Sequence, residues 1–566
     1  MNQTKNGKTK ILLALLPYWT PLVPPQGISC LKSFLEPRGF DVKTVDANTE
    51  PDFRRLYDRY FDLIRGWVPK EQQGNFYNLG HDVLRNHMTA HIHKEDENKY
   101  LELVAILVYQ TFFVSIDTEQ ARTLSAVFDE FYAKLEVYLR QLLTEERPDV
   151  FGVSVMRDTV GPSLYGFRLA KEMDPSVKTV MGGSIFADVL FQGTPNFDYF
   201  VERTPYIDHI VIGEGQNIMH RLLTGEIPQD KKVLTLEDCG GETLGFSPVN
   251  QPDMSDFDVQ HLYPYLSGQA SKSCPFRCSF CNVKSFYGDY KAKDPLQAAG
   301  EMVNLHKKHG VQLFFMNDSL LNYAADALSD ALIESGVSIY WDGYLRVGKE
   351  VTDRDTTMQW RKGGYYRARL GVESGSQKVL DSMGKHITPQ LIEESLFSLA
   401  MAGIKTTTYW VIGHPGETEE DFQKTLDLLE RLKDYIYQAE CNTFICGYTG
   451  QAKTDEWAPR KKKLYPDWAR PMLIMETWFV DGDPSRKEMY QRAFRFVQHC
   501  EKLGIPNPYS LHEIYQADER WHRLHKHAVP RLAELDDAAN YVNENFNVGG
   551  FMCADTSDSD EGDFGF

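Results

Sequence analysis

Strand and helix alternate in two long series along this sequence, and that alternation leaves few folds open. Residues 11–16 are a continuous apolar run, as in a strand covered on both faces. Pro17, Pro21, Pro24, Pro25 and Gly27 then turn the chain into a helix over 28–37, ended by Gly39, and a strand over 41–46. The same order resumes with a strand at 149–155, a helix at 161–173 and a strand at 177–181. Gly182 and Gly183 turn it toward a strand at 207–212, which closes on GEGQN at 213–217 and a short helix. This spacing predicts a parallel, doubly wound sheet. From about 265 a second series begins, with strands at 265–269, 311–316, 337–341, 366–370, 405–412 and 437–446. Helices fall between them at 295–308, 323–335, 389–402 and 418–433. Six strand–helix units fall short of the eight of a closed barrel.

Between the halves of the first series lies 51–145, with no Gly or Pro between Thr89 and Glu146. Leu101, Val104, Ala105 and Val108, then Phe128, Phe131, Leu135 and Leu139, repeat at helical spacing. We read an inserted helical subdomain. The domains expected are thus 1–50 with 146–228, a Rossmann-like domain; 51–145, the insertion; 229–262, a polar linker; 263–455, the second βα series; 456–548, a helical region with Trp468, Trp478 and Tyr490; and 549–566, an acidic disordered tail. Such a count suits 566 residues. The net charge of −19 argues against broad nucleic-acid or anionic-membrane binding. No run approaches the ~18 apolar residues of a membrane helix. The apolar stretch after Lys10 stops at Pro17 without a small-residue cleavage site, so a buried strand and a cytoplasmic location are expected.

Nine cysteines do not make a disulfide scaffold, but three fall within eight residues. Cys274, Cys278 and Cys281 form CxxxCxxC in CPFRCSFC. Three thiolates on one loop suit three irons of a 4Fe–4S cluster. Structural zinc is the alternative, but it takes four protein ligands. The nearest other cysteine is Cys239, and there is no partner CxxC pair. Three ligands leave one iron open for substrate chemistry. Phe280 would shield one side. The loop follows the first strand of the second series, at the strand end where barrel active sites form.

This arrangement resembles the radical S-adenosylmethionine (SAM) superfamily, over about 263–450. The resemblance implies a partial (β/α)₆ barrel in which the open iron is chelated by SAM. One-electron reduction, from a donor such as flavodoxin or ferredoxin, then yields a 5′-deoxyadenosyl radical. Further motifs fall in order at successive strand ends. Asp318 in FFMNDSL matches an acidic position near the SAM amine. Arg346 in WDGYLRV would pair with a carboxylate. Glu373 and Ser374 in GVESGS match cosubstrate contacts, and Gly413 in VIGHPGET permits close approach to the adenine.

The start, KILLALLPYWTPLVPPQGISCLKSFLEPRGFDVKTVDAN, resembles the cobalamin-binding domain that precedes some radical SAM barrels, as do GVSV at 152–155, VMGGS at 180–184 and DHIVIGEGQN at 208–217. Gly182, Gly183, Ser184, Gly213, Glu214 and Gly215 lie where an open α/β sheet binds its ligand. The DxHxxG motif of many cobalamin proteins is missing; the stretch after Val155 is RDTVGPS, and no histidine is expected below the cobalt. The implied function is a cobalamin-dependent methyltransferase acting on an unactivated carbon or phosphorus of a natural-product, tetrapyrrole or peptide substrate. A radical cyclase or rearrangement enzyme is the second reading, and a non-catalytic cobalamin or metal sensor the third. The strand-end motifs argue against a sensor.

Overall fold

The computed structural model describes residues 8–18, 21–73, 75–247, 251–445, 454–507 and 511–528. The chain divides into two compact units. The first takes Met1–Ile64, Gly80–Asp258 and Tyr465–Thr477; the second takes Arg65–Leu79, Val259–Leu464 and Trp478–Phe566.

The first unit is built on six parallel strands: β1 (Lys10–Leu15), β2 (Asp41–Asp46), β3 (Val150–Ser154), β4 (Lys178–Gly182), β5 (His209–Val211) and β6 (Val233–Leu234). Their order is β2-β1-β3-β4-β5-β6, so the winding reverses between β1 and β3. Both faces are covered, and Ile11, Leu12, Leu13 and Ala14 are all essentially buried. This is why β1 reads as an unbroken apolar run rather than an alternating one. Ile28, Phe34 and Leu35 of the helix Gln26–Leu35 pack with Ile218, Met219 and Leu222 of the helix Gly215–Leu223 in one core cluster.

The stretch 229–262, expected to be a polar linker, departs from that reading. Val233–Leu234 pairs with β5 as the edge strand. Cys239 is fully buried in the same core, and Asp256 binds Lys32 Nζ at 2.5 Å and the Thr44 backbone N–H at 2.8 Å. Two strand residues are too few to register as a period, which is why the sequence did not show them.

The insertion is helical: Pro51–Trp67, Phe76–Ile92, Glu97–Phe112 and Thr118–Glu146. The last opens on a capping box, in which Asp117 accepts from the Gln120 N–H and Gln120 accepts from the Asp117 N–H. Its Leu124, Phe128, Phe131, Leu135 and Leu139 face the interior, each with no exposed surface.

The second unit holds β7 (Leu266–Gly268), β8 (Leu313–Met316), β9 (Tyr340–Leu345), β10 (Tyr365–Glu373), β11 (Lys405–Ile412) and β12 (Gln438–Thr443). They pair in chain order and all in parallel, the arrangement of a partial barrel. Helices Pro295–His309, Ala325–Ser335, Pro389–Met401 and Glu419–Leu432 cover the outside. One strand differs from expectation. The third was read as 337–341, with WDGYLRV after it. It runs from Tyr340 to Leu345 instead. Asp342 stays in the strand because Arg367 and Arg369 neutralise it, and at Gly343 a side chain would collide with Leu321 Cδ1 at 2.3 Å.

Past the barrel, Lys461–Lys463 and Trp478–Val480 pair antiparallel, and the helices Arg486–Leu503 and Leu511–Leu524 follow. Trp468, Trp478 and Tyr490 are half-buried. Residues 529–548 and the acidic tail at 549–566 lie outside the described residues. Among the described residues, no helix is long and apolar enough to cross a membrane.

Candidate active site

The cysteine loop leaves the carboxyl end of β7. Ser271–Lys272 pairs antiparallel with Lys291–Ala292, which pins the base of the loop. Ser273 adopts φ 70°, and its Oγ donates to Gly288 O at 2.6 Å. Within the loop the Cys281 N–H donates to Cys278 O at 3.1 Å. The Ser279 N–H reaches Met383 O at 2.9 Å, tying the loop to the segment after β10. Cys274 and Cys278 are half-buried and Cys281 is exposed.

Two cations flank this loop. Arg346, just past β9, donates from Nη1 to Cys278 Sγ at 3.5 Å, and its guanidinium lies 4.0 Å from the Phe276 ring centre. Asn322 holds it in place by accepting the Arg346 N–H at 2.8 Å and donating to Arg346 O. Lys385 lies 5.9 Å from the Phe280 ring centre and pairs with Glu373 Oε1 at 2.5 Å. Burial pushes the thiols of Cys274 and Cys281 up, and the neighbouring Cys278 adds to this for both. Arg346 and Lys385 oppose it at Cys274, and Lys385 does so at Cys281. Positive charge at these distances favours the thiolates that iron requires.

The remaining barrel residues singled out from the sequence are placed as follows. Asp318 is 1% exposed, and its carboxylate accepts from Ala270 N–H and, at 2.6 Å, from Ser271 Oγ. Burial pushes it up to about 6. Asp318 therefore braces the strand that feeds the cysteine loop. Glu373 closes β10 at φ 67°. Ser374 is fully buried, and its Oγ accepts from the Ser376 N–H at 3.1 Å. Gly413 has φ 79°, and a Cβ there would meet Met489 Cγ at 2.2 Å. Its N–H donates to Glu417 Oε2 at 3.0 Å. Burial pushes Glu417 up to about 7 against the pull of Arg492. The sequence reading missed Phe276, which lies inside the cysteine motif, Glu417, four residues after Gly413, and Asn322 and Lys385, which only the fold brings to the rim of the cysteine loop.

In the first unit, a pocket of about 240 Å³ opens at the carboxyl ends of the strands, across the point where the winding reverses. Leu13, Ile28, Leu31, Val180, Val211 and Met219 give it apolar walls. Gly182, Gly183, Gly213, Glu214 and Gly215 line it as well. Ser184 is exposed beside them. The glycines are not alike. Gly183 has φ 111°, and a Cβ there would lie 2.4 Å from Val155 O, so the fold itself demands it. At Gly182 the nearest atom to an added Cβ is Val211 O at 3.9 Å, so that position is open. Glu214 accepts a hydrogen bond from the Leu244 N–H. His209 is buried, with Nδ1 2.9 Å from Lys231 O, and His220 packs edge-on against Phe34 and Phe40.

The donor set fits the groups that the sequence implies. Among the described residues, Cys30, Cys239, Cys441 and Cys500 are buried, and Cys274, Cys278 and Cys281 are the ones with exposed surface. Among the described residues, no group of three or more His, Cys, Asp or Glu is drawn together as a ready-made site for a metal ion. The pocket of the first unit is apolar, edged by backbone, and suited to a flat heterocycle.

Comparison with known proteins agrees with this geometry. Residues 270–429 match the Radical SAM superfamily. The anaerobic magnesium-protoporphyrin IX monomethyl ester cyclase of Rubrivivax gelatinosus is 25% identical over 314 residues, covering 51% of this chain and 55% of that protein. An uncharacterized methyltransferase of Pyrococcus horikoshii is 23% identical, covering 52% and 66%. The chain spans about half the length of the cyclases it matches. Among solved structures, the radical SAM methyltransferase TsrM of Kitasatospora setae, solved with cobalamin and a [4Fe-4S] cluster bound, aligns with a TM-score of 0.52 at 15% identity over 88% of both chains. The cobalamin-dependent radical enzyme OxsB aligns with a TM-score of 0.50 at 15% identity, over 88% of this chain and 57% of its own. The chain thus carries a radical SAM superfamily domain and shares, over most of its length, the fold of a cobalamin-binding radical SAM methyltransferase.

Proposed function

We propose that this chain is a cobalamin-dependent radical SAM enzyme, and a methyltransferase acting on an unactivated carbon or phosphorus. The observation that carries the reading is the cysteine loop at the mouth of the partial barrel, with Arg346 against Cys278 and a Rossmann-like unit in the same chain. When bound, the cluster would supply the electron that opens SAM to a 5′-deoxyadenosyl radical, and cobalamin would supply the methyl group. The chain's own residues do the rest. Cys274, Cys278 and Cys281 would hold three irons and leave the fourth to SAM. Arg346 and Lys385 offset the negative charge of the thiolates. Gly413, packed against Met489, holds the turn after β11 in its left-handed conformation. The apolar pocket of the first unit would take part of cobalamin, and Gly182, open toward the pocket, would leave room for it.

A small reduced flavodoxin or ferredoxin would deliver the electron to the cluster, in the cytoplasm, and the substrate would be a small molecule or a peptide. A second reading, radical ring closure without methyl transfer, is favoured by the cyclases among the relatives. The test is anaerobic reconstitution with iron, sulfide and hydroxocobalamin, followed by SAM and a reductant. A methyltransferase should form both 5′-deoxyadenosine and S-adenosylhomocysteine. Formation of 5′-deoxyadenosine without S-adenosylhomocysteine would favour the cyclase. If a variant with Cys274, Cys278 and Cys281 all changed to Ala still carries four irons and cleaves SAM, the whole reading fails.

A further inference from the structure

The base of the cysteine loop has two unlike faces. Ser271–Lys272 pairs antiparallel with Lys291–Ala292, with Ser271 opposite Ala292 and Lys272 opposite Lys291. Successive residues of a strand point to opposite faces. Ser271 takes the inner one: it is fully buried, and its Oγ donates to Asp318 Oδ1 at 2.6 Å. Lys272 and Lys291 therefore share the outer face, the first half-buried and the second exposed. Like charges directly opposite in an antiparallel pair repel each other. An acid brought to this face from outside would relieve that repulsion.

The charge here runs against that of the whole chain. Residues 270–294 hold Lys272, Arg277, Lys284, Lys291 and Lys293 against Asp289 and Asp294, in a chain of net charge −19. Lys293 is spent on Glu301, and Lys284 pairs with Asp289 at 3.1 Å. Asp294 caps the next helix, accepting from the Gln297 N–H at 3.0 Å. Arg277 and Lys291 are exposed, and among the described residues neither makes an ion pair. Aromatic surface lies beside these cations. Tyr287 is 46% exposed, with Lys272 Nζ 6.0 Å from its ring centre. Tyr323 is 62% exposed, its ring centre 5.8 Å from that of the half-buried Tyr290. Tyrosine and arginine are enriched where proteins meet, and electron-transfer encounters use small surfaces. Lys272 stands two residues before Cys274, so their Cα atoms are at most about 7 Å apart.

We propose that this outer face, formed by Lys272, Lys291 and Tyr287 with Arg277 at its edge, is the docking surface for a small acidic flavodoxin. The lysines steer an acidic carrier to the face, and Tyr287 offers a flat partner to the edge of its flavin. Electron transfer weakens steeply with distance, and this face lies next to a cysteine of the loop. The carrier's reduced flavin is oxidised by one electron and the cluster is reduced by one, with no bond or proton changing at the face. The purpose of docking rests on the radical SAM reading; the face itself does not.

The test uses the full chain and an acidic flavodoxin. In the unmodified chain without a cluster, carbodiimide should join flavodoxin carboxylates to Lys291 and Lys272, read by mass spectrometry. Salt at about 0.5 M, which screens charges within a few ångströms, should suppress the joining. With the cluster reconstituted, reduced flavodoxin should bleach its visible absorbance about tenfold or more slowly when Lys272→Glu and Lys291→Glu are combined. Photoreduced 5-deazariboflavin, small and uncharged, should bleach both proteins at one rate. Lys272→Arg with Lys291→Arg should keep the wild-type flavodoxin rate. Cross-links at other sites only, cross-links that persist in high salt, or equal flavodoxin rates in the Glu variant and the wild type would overturn the proposal. So would a short RNA that shields Lys291 from modification more strongly than flavodoxin does. A chain that assembles no cluster yet cross-links at Lys291 would sink the radical SAM reading alone. A cluster that bleaches with 5-deazariboflavin in a chain that never cross-links at Lys291 would sink the docking face alone.

Discussion

Replacing Gly183 by Ala and Gly182 by Ala should have opposite consequences, although the two residues are adjacent. At Gly183 the backbone has φ 111°, outside what an L side chain tolerates. Holding Ala there costs about 1–3 kcal/mol. The new Cβ would also sit 2.4 Å from Val155 O and 2.5 Å from Val155 N. Relieving that collision disturbs two hydrogen bonds, Val155 N–H to Gly182 O at 2.8 Å and Ile185 N–H to Val155 O at 3.1 Å. At about 1 kcal/mol net for each, the local total reaches about 3–5 kcal/mol. At Gly182 the added methyl meets nothing closer than 3.9 Å, so stability should change by less than about 1 kcal/mol. Because Gly182 lines the pocket, the same methyl should weaken a snug ligand by about 1–3 kcal/mol. The assay is amide exchange by mass spectrometry on peptides covering β3, β4 and the turn after β4, paired with a visible-absorption titration of hydroxocobalamin. Gly183→Ala should speed exchange there by about a hundredfold or more. Gly182→Ala should leave exchange unchanged and weaken hydroxocobalamin by about fivefold or more. Wild-type exchange in Gly183→Ala would refute the strain argument. Unaltered hydroxocobalamin affinity in Gly182→Ala would refute the placing of its ligand in this pocket.

The buried pair Lys405–Asp518 gives a second prediction. Lys405→Met removes the ammonium paired with the fully buried Asp518 carboxylate, which also accepts from the Tyr437 hydroxyl at 2.6 Å, so about 3–5 kcal/mol should be lost. Faster exchange in the helix Leu511–Leu524 would show this, and Lys405→Met with Asp518→Leu should recover much of it. Asp318 gives a third, in pH. Its carboxyl is raised to about 6 in the fold from 3.8, so the native state holds its proton longer than the unfolded chain. The stabilising contribution is full below about pH 4 and is lost as pH rises through about 6, on the order of 3 kcal/mol. Asp318→Asn should remove that slope in the apo protein, as read from melting temperature between pH 4 and 7; an unchanged slope would count against it.

Much of this protein was decided within short stretches of sequence. β1 and β11 lie where apolar or β-branched runs place them, because a strand covered on both faces writes its burial into consecutive residues. The cysteine set was legible because CxxxCxxC keeps its ligands on one loop. The helix Thr118–Glu146 announces itself by its cap and its repeat. Tertiary structure decided the rest, wherever a residue's neighbour is distant in sequence. Asp342-Gly343 reads as a turn by itself, and only Arg367 and Arg369, a strand away, make it a strand interior. Val233–Leu234 is a strand only because β5 offers an edge. Arg346 could be assigned a partner by charge, but Cys278 and Phe276 were selected by the folding of two loops onto one rim. Gly182 and Gly183 are the same letter twice. The first is open and the second is demanded by Val155, because local sequence fixes which residue can turn, while packing fixes which one must.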